Sequence, residues 1–172
     1  MRRTTEHTLS RLRLTINSDL KDVVFVGLAV NKICEHLQMS AVDAYRVELC
    51  AVEAVTNSIR HAYRNQPGNE VSVTLVVRDN RLEVEVADSG LAMLATQVTR
   101  LSEGSSVLEF DPTDRESLPE GGMGLQIMHE VMDEISYISD GQVNLLRLTR
   151  VLDEANEAEA RHATTYEGKA NE

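Results

Sequence analysis

The chain has no tryptophan, and aromatic residues make up only 3% of its 172 positions. Any core must therefore be filled by aliphatic side chains and the six methionines. Basic charge is also scarce: 17 Lys and Arg stand against 28 Asp and Glu, a formal net charge of −11 with a pI near 4.9. That balance excludes nucleic acid as the main partner, because phosphate binding requires a basic face. Part of the acidity is peripheral, since residues 152–172 carry six acids against Arg161 and Lys169. No uninterrupted apolar stretch approaches the ~20 residues needed to span a bilayer. At the N-terminus Arg2 and Arg3 lead into Thr4-Thr5-Glu6-His7 rather than into the apolar run of a secretory leader. A cytoplasmic protein with no membrane partner is expected. Cysteine is limited to Cys34 and Cys50, both among apolar neighbours in predicted helices and without a His or Cys cluster. They read as small buried hydrophobes.

What is present is a chain long enough for one well-buried domain and hardly for two. Leu9, Leu12, Leu14 and Ile16 make a strand over 8–16. Asn17-Ser18-Asp19 then starts a helix reaching about Gln38, and Ser40-Ala41-Val42-Asp43 is a capping box for a second helix over roughly 41–63. Arg64-Asn65-Gln66-Pro67-Gly68-Asn69 ends that helix. Strands at 70–78 and 81–87 meet at Asp79-Asn80 as a hairpin. Residues 91–120 are long, acidic and without a clear period, and read as a lid or an insertion. A helix over 123–134 follows, then strands at 135–139 and 142–151 around Asp140-Gly141. The polar stretch 152–172 reads as a disordered tail, leaving residues 1–151 as a single domain.

Strands that follow one another directly form hairpins. The order therefore predicts an α+β fold: a two-layer α/β sandwich whose sheet is mixed, mostly antiparallel, with helices on one face. A doubly wound nucleotide fold is excluded, because neither G-x-x-x-x-G-K-[ST] nor G-x-G-x-x-G after a strand is present.

Three places carry chemistry. Glu53 and Asn57 lie four apart on a helix face otherwise built from Ala, Val and Ile. A carboxylate there can accept a proton, and an amide oxygen can hold a hard cation such as magnesium. Asp88-Ser89-Gly90 stands where a strand leaves the sheet, and a carboxylate there either closes a turn or accepts from an exocyclic amine of a base. Gly121-Gly122-Met123-Gly124 opens a helix whose free N–H groups and positive dipole end form an anion site; a plain hinge is the other reading. Arg60, His61 and Arg64 read as a solvated helix end.

In combination, Glu53–Asn57, Asp88-Ser89-Gly90 and Gly122-Met123-Gly124 resemble the N, G1 and G2 boxes of the Bergerat, or histidine-kinase-like, ATP-binding fold. The strings EAVTNSIRHAY (Glu53 to Tyr63) and GGMGLQIMHEVMDEISY (Gly121 to Tyr137) are similar to those of anti-sigma factor serine/threonine kinases of bacterial partner switching. The likeness spans nearly all of residues 8–151. It implies Glu53 as general base and Asn57 as magnesium ligand. Asp88 would bind the adenine amine and Gly90 would shape its pocket. Gly122 and Gly124 would cradle the phosphates, with Met123 and Leu125 in the same nucleotide-binding turn. The implied reaction carries the γ-phosphoryl group of ATP to a serine or threonine of a STAS-type anti-anti-sigma protein, and the implied partners are that protein, a sigma factor or analogous regulator, and a second copy in a homodimer.

Two departures bear on the site. Leu91-Ala92-Met93 follows Asp88-Ser89-Gly90 where the family often has a further glycine or proline. Gly141-Gln142-Val143-Asn144 lacks the threonine of the usual G-T-x-V strand, which removes a hydroxyl near the base. Three functions compete: such a kinase, a nucleotide-dependent partner-binding module with little catalysis, and the ATPase part of a sensor kinase. The last is disfavoured because none of His7, His36, His61, His129 and His162 sits in a dimerisation helix as a phospho-acceptor. Retention of Glu53 favours the first over the second.

Overall fold

The computed structural model describes residues 8–103 and 123–152. Their elements are β1 (Thr8–Asn17), a 3-10 turn (Leu20–Asp22), α1 (Val23–His36), α2 (Ala41–Asn57) with a π-helical continuation (Ser58–Ala62), β2 (Glu70–Arg78), β3 (Arg81–Asp88), α3 (Ala95–Glu103), α4 (Met123–Val131), β4 (Glu134–Ser139) and β5 (Asn144–Val151). The five strands form one sheet in the order β1-β2-β3-β5-β4. The two-layer α+β architecture is the one the strand order predicts. Every pairing is antiparallel, so the sheet is not mixed.

Alternation along the strands builds the core. Val71, Val73, Leu75 and Val77 on β2 register against Val86, Val84 and Leu82 on β3, and those against Leu146 and Leu148 on β5. All are buried, together with Val26, Val30 and Cys34 of α1 and Val47, Cys50, Ala51, Ala54 and Val55 of α2. The helix pair closes tightly at Gly27, where an added Cβ would lie 3.1 Å from Glu48 Oε1 and 3.2 Å from Val52 Cγ2 of α2. On the other face of the sheet Glu83 is buried between Arg78 and Arg81, which donate to its Oε1 at 2.7 and 2.8 Å. Burial alone would raise this carboxyl; the two guanidiniums outweigh it and hold it below the usual range.

Local chemistry sets the boundaries. Ser40 caps α2 as expected, its Oγ accepting from Asp43 N at 3.1 Å. Where a single helix to Gln38 is expected, a 3-10 turn precedes α1, and Gln38 turns left-handed at φ 54°. The helix starting at Met123 ends at Val131, short of the expected 134. Arg150 donates to the Val131 carbonyl at 2.9 Å, and Asp133 N already bonds Thr149 O in the sheet. The last strand begins at Asn144, not at 142, because Asp140 Oδ1 accepts from the amides of Gln142 and Val143.

The stretch 91–120 is not structureless throughout. Its described part contains α3, with Leu101 buried and Gln97 Oε1 accepting from Leu94 N at 2.8 Å in half of a capping box. Two apolar positions, Val98 and Leu101, are too few to print a period in an acidic segment. The rest of the expected lid, 104–120, lies outside the described residues, as does 153–172 of the expected tail. Leu152 belongs to the folded unit instead: it is buried, and its N–H donates to Asn80 O at 2.8 Å. Among the described residues no helix is long and apolar enough to cross a membrane.

Both cysteines are buried free thiols, as their surroundings suggest. Burial, with lesser contributions from Glu48 near Cys34 and Glu53 near Cys50, pushes each thiol up to about 12. Because the thiolate is the reacting form, a chromogenic disulfide reagent at about pH 8 should label neither cysteine in the native protein and both after denaturation. Prompt labelling of either native thiol would contradict this packing.

Candidate functional site

The site grows from the C-terminal half of α2. Glu53 and Asn57 point the same way one turn apart, both half-buried, and among the described residues neither side chain has a hydrogen-bond partner. Opposite them begins α4. A Cβ on Gly124 would sit 2.6 Å from Glu53 Oε2, so with glycine there the helix starts against the carboxylate as it stands, whereas a side chain would require Glu53 to turn aside. The first turn of α4, with its amide donors, therefore borders Glu53, one helical turn from Asn57. Leu125 is half-buried and packs on the hydrophobic core, which makes it a support for this turn. Met123 opens the helix, whereas Gly121 and Gly122 lie outside the described residues.

Past Asn57 the helix widens. Tyr63 N bonds Ser58 O, a five-residue step at 3.0 Å, and Asn65 N reaches Ile59 O at 2.9 Å. This π segment leaves the carbonyl of Ala62 to accept Leu91 N at 3.0 Å, which ties the loop after β3 to the helix. Gly90 passes so close that a Cβ there would lie 2.5 Å from Ala62 O. No side chain fits at this position without moving backbone.

The loop after Asp88 is held by side chains that sequence reasoning did not single out. Tyr63 Oη accepts from Ser89 N at 2.8 Å and donates to Glu70 O at 2.7 Å. Burial raises this phenol above its ordinary range, which keeps the hydroxyl proton that the second bond needs. Tyr137 Oη accepts from Met93 N at 2.9 Å. Gly90 N turns back onto Asp88 Oδ1 at 3.0 Å. With no glycine or proline after Gly90, two of the chain's four tyrosines do the fixing.

Asp88 itself is buried and stands in register with Asn144, on the helix-facing side of the sheet. The Asn144 amide nitrogen donates to Asp88 Oδ1 at 2.8 Å and to Gly90 O at 3.1 Å. Asn144 could have been found from the alternation: 82, 84, 86, 88 and 148, 146, 144 are the inward positions of paired strands. The three predicted patches are thus one continuous surface, running from Gly124 through Glu53, Asn57, Ala62 and Gly90 to Asp88. It presents a carboxylate, a side-chain amide and helix N–H groups at one end and a second, oriented carboxylate at the other.

The clash at Gly90 is with backbone and cannot be relieved by a rotamer change. Gly90→Ala should cost about 1–3 kcal/mol in denaturant unfolding and shift the loop carrying Asp88. Wild-type stability in that variant would show that the Ala62 contact yields.

Residues 16–150 match the histidine kinase-like ATPase domain family. Among curated proteins, the serine-protein kinase RsbW of Bacillus thuringiensis (strain Al Hakam) is 26% identical over 158 residues, 91% of this chain and 95% of the relative. RsbW of Bacillus anthracis is likewise 26% identical over 158 residues, with the same coverage of both chains. Among solved structures, a chain of the SiaB–SiaC complex from Pseudomonas aeruginosa superposes with a TM-score of 0.55 at 16% identity, covering 79% of this chain and 88% of that one. That likeness is one of fold. With the match spanning most of the sequence and the site built as described, the chain belongs to the histidine kinase-like ATPase domain family.

Proposed function

We propose that this chain is an ATP-dependent serine/threonine kinase of a cytoplasmic partner-switching system. It would phosphorylate a STAS-type anti-anti-sigma protein and bind a sigma factor or an analogous regulator in alternation with it. The observation that carries this reading is Glu53, set against the start of α4 by Gly124 and one helical turn from Asn57. The similarity to relatives named serine-protein kinases supports the same chemistry.

In this reading Asp88 accepts from the adenine amine, and the N-terminal turn of α4 receives the phosphates. The side-chain oxygen of Asn57, unpartnered among the described residues, would hold Mg2+ together with the nucleotide. The residues fit that ion: it commonly takes one or two protein oxygens and fills the rest of its shell with phosphate and water. Among the described residues there is no cluster of three His, Cys, Asp or Glu side chains that would suit a metal held by protein alone. When bound, the ion neutralises phosphate charge. Glu53 takes the proton of the substrate hydroxyl as that oxygen bonds to the γ-phosphorus. The bond from the γ-phosphorus to the bridging oxygen breaks, and ADP leaves with the electron pair. Positioning and charge neutralisation supply most of the acceleration, so few side chains are required.

Removing the base while keeping its shape separates chemistry from binding. Glu53→Gln should bind ATP and partner within a few-fold of wild type but phosphorylate the STAS protein roughly 10²–10⁴ times more slowly in a labelled-ATP assay. An unchanged rate would eliminate Glu53 as base. A wild type that binds the STAS protein with ATP but never phosphorylates it would instead favour a partner-binding module.

Asn57 is tested by stability. Asn57→Ala should melt like wild type without nucleotide, because its amide is not engaged in the core, and should lose the thermal shift given by ATP with Mg2+. A full ATP-dependent shift in the variant would rule out this ligand.

A further inference from the structure

We infer that Asn144 is the positioning residue that makes Asp88 read a 6-amino purine and reject a 6-oxo purine. The inference rests on the ATP reading of the site and adds to it a discriminating residue. It starts from the bonds that surround the carboxylate. Asp88 Oδ1 accepts twice, from Asn144 Nδ2 at 2.8 Å and from Gly90 N at 3.0 Å. Among the described residues Oδ2 has no donor. One oxygen is thus consumed in fixing the group, and the other is left as a pure acceptor.

Asn144 can do this because of its own confinement. It is 4% exposed, opposite Asp88 in the sheet register, and its amide nitrogen is shared with the carbonyl of Gly90 at 3.1 Å. Both donor positions of the –NH2 group have acceptors, so the amide cannot flip without setting its oxygen against the carboxylate and a carbonyl. A hydroxyl at the same place has one proton and could serve only one of these acceptors. The amide therefore locks the carboxylate and the loop carbonyl together.

The consequence is electrostatic. With Oδ1 held by two donors, the open Oδ2 is presented to a ligand as an acceptor. An adenine amine presents a proton to such a group, whereas the carbonyl oxygen of guanine presents a lone pair. The wrong base leaves two buried acceptors face to face. Discrimination thus depends on Asp88 being held with Oδ2 open, and that orientation depends on Asn144.

The test compares ATP and GTP binding by calorimetry in wild type, Asn144→Asp, Asn144→Thr and Asn144→Ala. Wild type should prefer ATP. Asn144→Asp sets a second carboxyl beside Asp88, so the pair shares a proton and can donate to a 6-oxo group. Its preference for ATP should narrow by about 10- to 100-fold, the range for losing a hydrogen bond to a charged group. Its ATP affinity should also acquire a pH dependence between about 4 and 8 from the added carboxyl. Asn144→Ala should lose ATP affinity with little change for GTP, and Asn144→Thr should restore part of the preference through its one donor. A purely structural role would weaken both nucleotides alike and leave the pH profile unmoved. Equal loss for ATP and GTP, or an unchanged preference in Asn144→Ala and Asn144→Thr, would overturn the role of Asn144 while leaving ATP binding intact. Should wild type bind neither nucleotide, the ATP reading falls and this inference falls with it.

Discussion

Backbone meets backbone where Gly90 passes Ala62, and the functional surface depends on that approach. On one side is the exit of a central strand; on the other is the end of the longest helix. Leu91 donates to the Ala62 carbonyl, and no side chain fits between them. This contact joins the sheet to the helix layer by a route independent of the hydrophobic core. Without it, Asp88 on the sheet and Glu53 with Asn57 on the helix would be held relative to each other by apolar packing, which is adaptable, and by the single Ser89–Tyr63 hydrogen bond. With it, the carboxylates of Asp88 and Glu53 are referred to one frame.

The loop that follows is secured before any ligand arrives. Ser89, Gly90, Leu91 and Met93 each donate their amide to a defined acceptor: Tyr63, Asp88, Ala62 and Tyr137. Satisfied amides in a short loop mean little reorganisation on binding, and preorganisation is where an acyl or phosphoryl site gains most from hydrogen bonds. Rarity of aromatic residues gives this arrangement its character. In a chain with four tyrosines and no tryptophan, two phenols are used on one loop.

Much of this was legible in the sequence, for reasons that can be named. The four-residue spacing of Glu53 and Asn57 fixes a shared helix face whatever surrounds it. Ser40 and Asp43 mark a helix start by local bonding, and the hairpin at Asp79-Asn80 follows from adjacent alternating runs. What stayed hidden depends on contacts between distant residues. The π step after Asn57 has no residue signature, and it is the end of this segment whose Ala62 carbonyl accepts from Leu91. The helix at Ala95–Glu103 shows too few apolar positions to reveal a period. The part of Asn144 emerges only when two strands are laid in register, since in the linear chain it reads simply as the loss of a threonine. The Gly121 and Gly122 positions rest on the sequence likeness.

The π segment between Ser58 and Ala62 carries a further consequence, for how such a chain can drift in length. Adding or removing one residue in a regular α-helix rotates everything downstream by about 100°. Here the downstream residue is the anchor for the loop after β3, so the stretch from Glu53 to Tyr63 behaves as a ruler whose count is fixed. The neighbouring turn is different. Gly68 is left-handed at φ 86° with open space where a side chain would go, and Arg64 and Asn65 are left-handed too. A few residues apart, one segment is fixed by its count and the next by its backbone, since a side chain at Gly68 would be strained despite the open space and Ser18 bonds both Gln66 and Asn69.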